Sequence, residues 1–260
     1  MADLGTVVSR VTRITTAWIQ DVNNFIYRSI GSSGGSALVG FIASGAGAVL
    51  RTIQSKLRET ISVADFGAVG DGVADDTTAI QAAIVAAGSG KVRLPPGNFV
   101  LSATLDMGTA GCTLVGAGRN ATSLLATHRD GAVIEVSASR CGITDLTVSS
   151  LAGSARRLAS AFGKTAPDAS VDGNSEDYGI LFKEGTFSMT FGHVKRIEIT
   201  AQPADGLVWY GEGTCTRFEQ VNITYCGGHG MYFDEGGRAG LTLGRPGIID
   251  LVDCLIQQNW

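Results

Sequence analysis

Downstream of about residue 92 the chain alternates apolar and polar side chains in short runs, the period of β-strands with one buried face. The runs recur. Gly179-Ile-Leu-Phe182, Gly206-Leu-Val-Trp209 and Gly230-Met-Tyr-Phe233 start 27 and 24 residues apart. Ile197-Glu-Ile199 and Val221-Asn-Ile223 each lead to the next of these glycines seven residues on. A period of this length predicts a solenoid whose coils stack and whose alternate side chains share one core. Leu146-Thr-Val148 is an earlier strand of the same kind, but its matching Gly179 comes 31 residues later. An insertion near 149–177 therefore leaves the stack, as a surface loop or as a loop for ligand or neighbour contacts. It holds Arg156, Arg157, Lys164, Asp168, Asp172, Glu176 and Asp177. Cys254-Leu-Ile-Gln-Gln-Asn-Trp260 reads as a strand with no cap after it, so the solenoid is expected to continue beyond residue 260.

Upstream the period changes to that of helices. Over residues 76–87, Ile80, Ala83, Ile84 and Ala87 form one apolar stripe, Asp75 or Asp76 supplies the N-cap, and Gly88 follows the end. Val49–Glu59 is expected to be a short helix with Leu50, Ile53 and Leu57 on one face. Residues 4–30 read as an amphipathic helix, with Leu4, Val11, Trp18 and Phe25 spaced by seven and Val7 and Ile14 at the offset positions. Asp21 and Arg28 then break the heptad. Three readings stay open for it: a trimeric coiled coil, docking on a partner, or packing on its own protein. Gly31-Ser-Ser-Gly-Gly-Ser36 is a flexible linker.

Composition sharpens this picture only in part. Glycine is 36 of 260 residues, about twice the usual share of ~7%, without a collagen-like triplet, which suits many tight turns. A net charge of −4 gives no sign of a nucleic-acid partner. The longest weakly apolar run, Ala37–Leu50, is too short and glycine-rich to cross a bilayer, so no membrane insertion is expected. The N-terminus lacks the basic and apolar regions of a signal peptide. Five cysteines, 112, 141, 215, 226 and 254, lack metal spacing and read as small buried residues of a reduced chain.

Several patterns imitate chemistry. Asp71, Asp75 and Asp76 crowd three carboxylates together, but a helix cap and turns account for them without a metal. Gly116-Ala-Gly118-Arg-Asn-Ala121 follows a strand as a dinucleotide fingerprint does, yet no helix of adequate length follows it. Gly228-His229-Gly230 stands without companion catalytic elements. Asp205, Glu212, Glu219, Asp234 and Glu235 lie on neighbouring coils, but sequence does not fix their phase for an acid pair. Trp209, Tyr210, Tyr225, Tyr232 and Phe233 read as core aromatics rather than sugar platforms. No catalytic residue, metal site or cofactor is assigned.

Residues 62–101, from Ser62-Val-Ala-Asp-Phe-Gly-Ala-Val-Gly-Asp-Gly72 to Lys91-Val-Arg-Leu-Pro-Pro-Gly-Asn-Phe-Val-Leu101, resemble the start of a right-handed parallel β-helix of the pectate-lyase-like superfamily. Residues 40–59 resemble the neck of bacteriophage tailspikes, and Ala17–Tyr27 resembles N-terminal segments of phage tail fibres. The resemblance implies a mainly β fold: a right-handed parallel β-helix, a single-stranded solenoid, preceded by an α-helical attachment and neck region. The implied domains are 1–36 (virion attachment and linker), 37–61 (neck) and 62–260 (first part of the β-helix, with a capping helix at about 76–87). Leu4, Val7, Val11, Ile14, Trp18 and Phe25 would carry virion attachment. A phage tail or baseplate protein would receive residues 1–60, the chain would self-associate as a homotrimer on the virion tail, and the β-helix would bind a bacterial surface polysaccharide, with cleavage left open. A structural adaptor and a free secreted polysaccharide lyase or glycoside hydrolase are the alternatives.

Overall fold

The structure is a computed structural model that describes residues 16–30, 32, 34–128, 131–151, 178–183, 189–190, 192–202, 205–210, 213–214, 216–227, 229–234 and 249–257. It divides into two compact units, residues 1–59 and 60–260.

In the first unit, helix α1 runs over Thr16–Asn23 and passes into a π-helical stretch over Asn24–Ile30. Leu4, Val7, Val11 and Ile14 lie outside the described residues, so the helix expected over residues 4–30 is described only from residue 16 on. Trp18 and Phe25 are both more than half exposed, at 53% and 56%. The expected helix over Val49–Glu59 is corrected. Arg51–Thr52 pairs antiparallel with Gly40–Phe41, and only Ile53–Leu57 is helical, as α2. Thr52 explains the late start: its hydroxyl accepts a hydrogen bond from the Ser55 amide at 3.0 Å and so caps the helix there. Glu59 accepts from both Arg51 and Lys56 and closes the far end. Leu50 and Leu57 are exposed rather than joined in a buried stripe.

The second unit is a parallel β-helix with three faces. Face A stacks Leu105–Met107, Ile134–Val136, Ile180–Lys183, Leu207–Tyr210 and Met231–Asp234. Face B stacks Ile61–Ser62, Lys91–Arg93, Thr113–Val115, residues 142–144, residues 193–195, Thr216–Glu219 and Ile249–Val252. Face C stacks Asp71–Asp75, Gly97–Leu101, Thr122–Ala126, residues 147–150, residues 198–200, Asn222–Thr224 and Leu255–Gln257. Two long strands, Gly142–Ser150 and His193–Thr200, run through faces B and C without a break. They turn the corner at Asp145 (φ 60°) and Arg196 (φ 51°), and Gln220 and Asp253 repeat that left-handed conformation in the next two coils.

Alternation fills the core. Leu105, Ile134, Ile180 and Leu207 point inward from face A, Val92, Leu114 and Val194 from face B, and Phe99, Leu124, Val148 and Ile199 from face C. Phe182 stacks on Trp209 with ring centroids 4.9 Å apart and meets Phe218 edge-on at 6.1 Å. The repeating glycines have a packing reason. A Cβ on Gly206 would lie 2.4 Å from Ile223 Cγ2 and 2.8 Å from the Gly230 carbonyl, so the chain passes too close to the next coil for a side chain.

Helix α3, Thr77–Ala87, stands where the first coil would place a face A strand. Its Ile80, Ala83 and Ile84 are buried on the core. Gln81 completes the open edge: its amide accepts from the Asp106 N–H at 2.9 Å and donates to the Asp106 carbonyl at 3.0 Å, imitating a neighbouring strand. The capping role follows from an exposed first coil needing both apolar cover and hydrogen-bond partners.

Candidate functional site

The three crowded aspartates serve the backbone. Asp71 accepts from the Val73 and Ala74 amides, both at 2.8 Å. Asp75 accepts from the Thr77 amide and from the Thr77 and Ser102 hydroxyls, and those hydroxyls hold its carboxyl down to about 2. Buried Asp76 accepts from the Val69 amide at 2.7 Å and the Gly70 amide at 3.0 Å, tying the entry loop to the start of α3. The fingerprint-like glycines, Gly116 and Gly118, lie in the turn between Thr113–Val115 and Thr122–Ala126, which is followed by a strand. A Cβ on Gly116 would meet the Asp145 carbonyl oxygen at 2.1 Å.

The two acidic candidates whose side chains are described, Asp205 and Glu219, do not converge. Asp205 sits before a face A strand and accepts from the His229 amide at 2.5 Å, with its Oδ1 3.3 Å from His229 Nδ1. His229 is exposed and its ring lies 5.2 Å from that of Tyr232. Glu219 stands on face B instead, 3.1 Å from Lys195 and 3.4 Å from Arg217. Glu212, Glu235 and the inserted loop's Arg156, Arg157, Lys164, Asp168, Asp172, Glu176 and Asp177 lie outside the described residues. The aromatic set divides. Trp209 is core, whereas Tyr225 is exposed at a left-handed corner and Tyr232 points outward beside His229.

The exterior of face B has a chemistry that the motifs did not reveal. The register puts Lys91, Thr113, Gly142, His193 and Arg217 in one column and Arg93, Val115, Thr144, Lys195 and Glu219 in the next. Between them Val92, Leu114, Ile143, Val194 and Phe218 point into the core. Gly142 makes room for a ring: a Cβ there would lie 2.5 Å from His193 Cε1 and Nε2. Burial first, then the charges of Lys195 and Lys91, push the His193 imidazole below its ordinary value, so it is neutral at neutral pH. At the corner beside this face, Arg196 grips Asp145 with two hydrogen bonds of 2.5 and 2.7 Å and holds that carboxyl below the usual range. The readable signal was present as Lys91-Val-Arg93, His193-Val-Lys195 and Arg217-Phe-Glu219, charged residues two apart in strands.

Comparison with known proteins places this scaffold. A model of the rhamnogalacturonase A/epimerase, pectate lyase-like family matches residues 60–239. The mannuronan C5-epimerase AlgE6 of Azotobacter vinelandii is 62% identical over 45 residues, covering 16% of this chain and 5% of the relative. The tail spike protein of Shigella phage Sf6 is 33% identical over 111 residues, covering 40% of this chain and 18% of the relative. The solved ORF18 of Geobacillus virus E2 superposes with a TM-score of 0.50 at 18% identity, covering 83% of this chain and 48% of the other, a likeness of fold. The chain thus spans a small part of the length of the curated relatives it matches.

Proposed function

The chain belongs to the rhamnogalacturonase A/epimerase, pectate lyase-like family, and from that premise we propose that it is a phage tailspike or tail-fibre component. Residues 1–60 attach to a tail or baseplate protein, and the β-helix presents its outer faces to a bacterial surface polysaccharide. The observation that carries this reading is the 33% identity over 111 residues to a phage tail spike protein in a chain whose second unit is a parallel β-helix. The first unit supports it. Leu38, Ile42, Val49, Leu50 and Leu57 are all exposed, an apolar surface that a solitary chain would leave in water and that a homotrimeric neck would bury. Trp18 and Phe25 remain the attachment candidates that the structure describes, with Leu4, Val7, Val11 and Ile14 completing the heptad in sequence.

A second reading, a free enzyme that modifies polysaccharide, draws on the 62% identity over 45 residues to an epimerase of mannuronan. One experiment separates the two. Purified virions of the phage that encodes the chain are probed with antibodies to the β-helix, and the full-length protein is tested for retention on its host's surface polysaccharide. The tailspike reading expects labelled tails and retention. Retention with no protein in the virions replaces it with the free enzyme.

A further inference from the structure

We propose that the β-helix is itself an assembly surface: face B of one copy lies against face A of a second copy of this chain, at the level of the second and third coils. This rests on the tailspike reading and names the surfaces through which its copies meet. On face A, Asp106 and Glu135 stand side by side in register on the outside, while Leu105, Met107, Ile134 and Val136 point into the core. Adjacent strands lie about 4.8 Å apart, so two like charges are neighbours there. Glu135 has Lys183 at 3.8 Å, and no cation among the described residues pairs with Asp106. On face B, Lys91 and Arg93 are exposed on either side of buried Val92, and no carboxylate among the described residues pairs with them. The chain thus sets a carboxylate pair on one face and a cation pair on another, with three of the four charges lacking a partner of opposite sign among the described residues.

Their height along the solenoid points to a second copy of the same chain. Lys91–Arg93, Gly97–Leu101 and Leu105–Met107 make one coil, so Lys91 and Arg93 stand level with Asp106 and one strand spacing from Glu135. A rotational assembly whose axis runs along the solenoid brings equal heights of its copies together, and a three-fold contact joins two different patches. Faces A and B supply those patches. The edge between them is low at this height, because Gly108-Thr-Ala-Gly111 carries nothing larger than threonine. One coil further on, Ser137-Ala-Ser139 repeats the small residues before Arg140. Farther along face A, outward Leu181 and Val208 are already buried in a cluster with Ala132 and Tyr178. That face is therefore closed there within the chain and open at Asp106.

The test uses the full-length protein and a carbodiimide, which condenses a lysine amine with a carboxylate in contact with it. Mass spectrometry of the linked dimer and trimer is expected to find Lys91 joined to Asp106 or Glu135. Within one copy these side chains leave different faces, so a zero-length link between them reports on two copies. The variant Lys91→Glu/Arg93→Glu should raise the protein concentration at half-assembly about tenfold, and adding Asp106→Lys/Glu135→Lys to it should return that concentration to within about threefold of the parent. Assembled protein with no link between these residues, or a reversal that leaves assembly unchanged, overturns the inference and leaves the tailspike reading standing. Weakened assembly that the exchanged charges do not restore also overturns it, since the side chains would then act through folding alone. Protein that stays monomeric removes this inference, whereas absence of the chain from purified virions removes the tailspike reading.

Discussion

Asp76→Ala should unfasten the entry of the β-helix. The carboxylate is buried, and each of its oxygens accepts one backbone N–H, Val69 at 2.7 Å and Gly70 at 3.0 Å. Its own backbone extends the joint: the Asp76 amide donates to the Val100 carbonyl, and its carbonyl accepts from Ile80 in α3. Gly70 in turn lies against the Phe99 ring, and its carbonyl accepts from Asn98. Hydrogen bonds to a charged group are worth about 1.5–3 kcal/mol each. Losing two, with some return from no longer burying a carboxylate, gives a net cost of about 3 kcal/mol. Hydrogen exchange reads this directly. The Val69 and Gly70 amides should exchange on the order of a hundredfold faster in the variant, while core amides of face A keep their protection. Asp76→Asn should behave nearly as badly, because its amide nitrogen would face a second donor. Exchange at both amides within threefold of the parent protein would refute the assignment of Asp76 as the clamp.

Four further outcomes follow from the same geometry. Trp209→Ala removes a core ring stacked on Phe182, and urea unfolding should show a loss of about 3–5 kcal/mol. Gly116→Ala pushes a methyl against the Asp145 carbonyl and should lower stability by more than about 2 kcal/mol, with loss of soluble expression as the simplest readout. Asp75 has its folded pKa depressed from 3.8 to about 2, so its stabilisation is present above the unfolded value and lost as pH falls through that window. The effect is of order 1 kcal/mol after allowance for solvent screening, and acid titration of Ser102→Ala should show part of it gone, with the Thr77 hydrogen bonds retaining the rest. For the corner pair, a double-mutant cycle of Asp145→Ala and Arg196→Ala should give a coupling of about 1 kcal/mol, shrinking in high salt.

The sequence made some parts of this molecule plain and hid others for physical reasons. Helix α3 was legible because Ile80, Ala83 and Ile84 sit at helical spacing and all three face the core. The repeat of Gly179, Gly206 and Gly230 was legible in spacing, and at Gly179 and Gly206 the coil approaches the next too closely for a side chain. The unbroken turn from face B to face C was not. Asp145, Arg196, Gln220 and Asp253 adopt a left-handed conformation that glycine usually marks, and none of them is glycine. The Leu50, Ile53 and Leu57 stripe suggested a buried helix face, but spacing cannot tell a face packed inside one chain from one left exposed. The polar columns on the exterior of face B escaped motif reading because their members come from separate coils. Only the strand register brings Lys91, His193 and Arg217 into one column.

The most direct test of the central claim is a cryo-EM reconstruction of the virion tail of the phage that encodes this chain, focused on residues 1–60. The account predicts copies held to the tail through that segment, with β-helix density leading outward from it. Virion tails with no density that fits this β-helix would contradict the account.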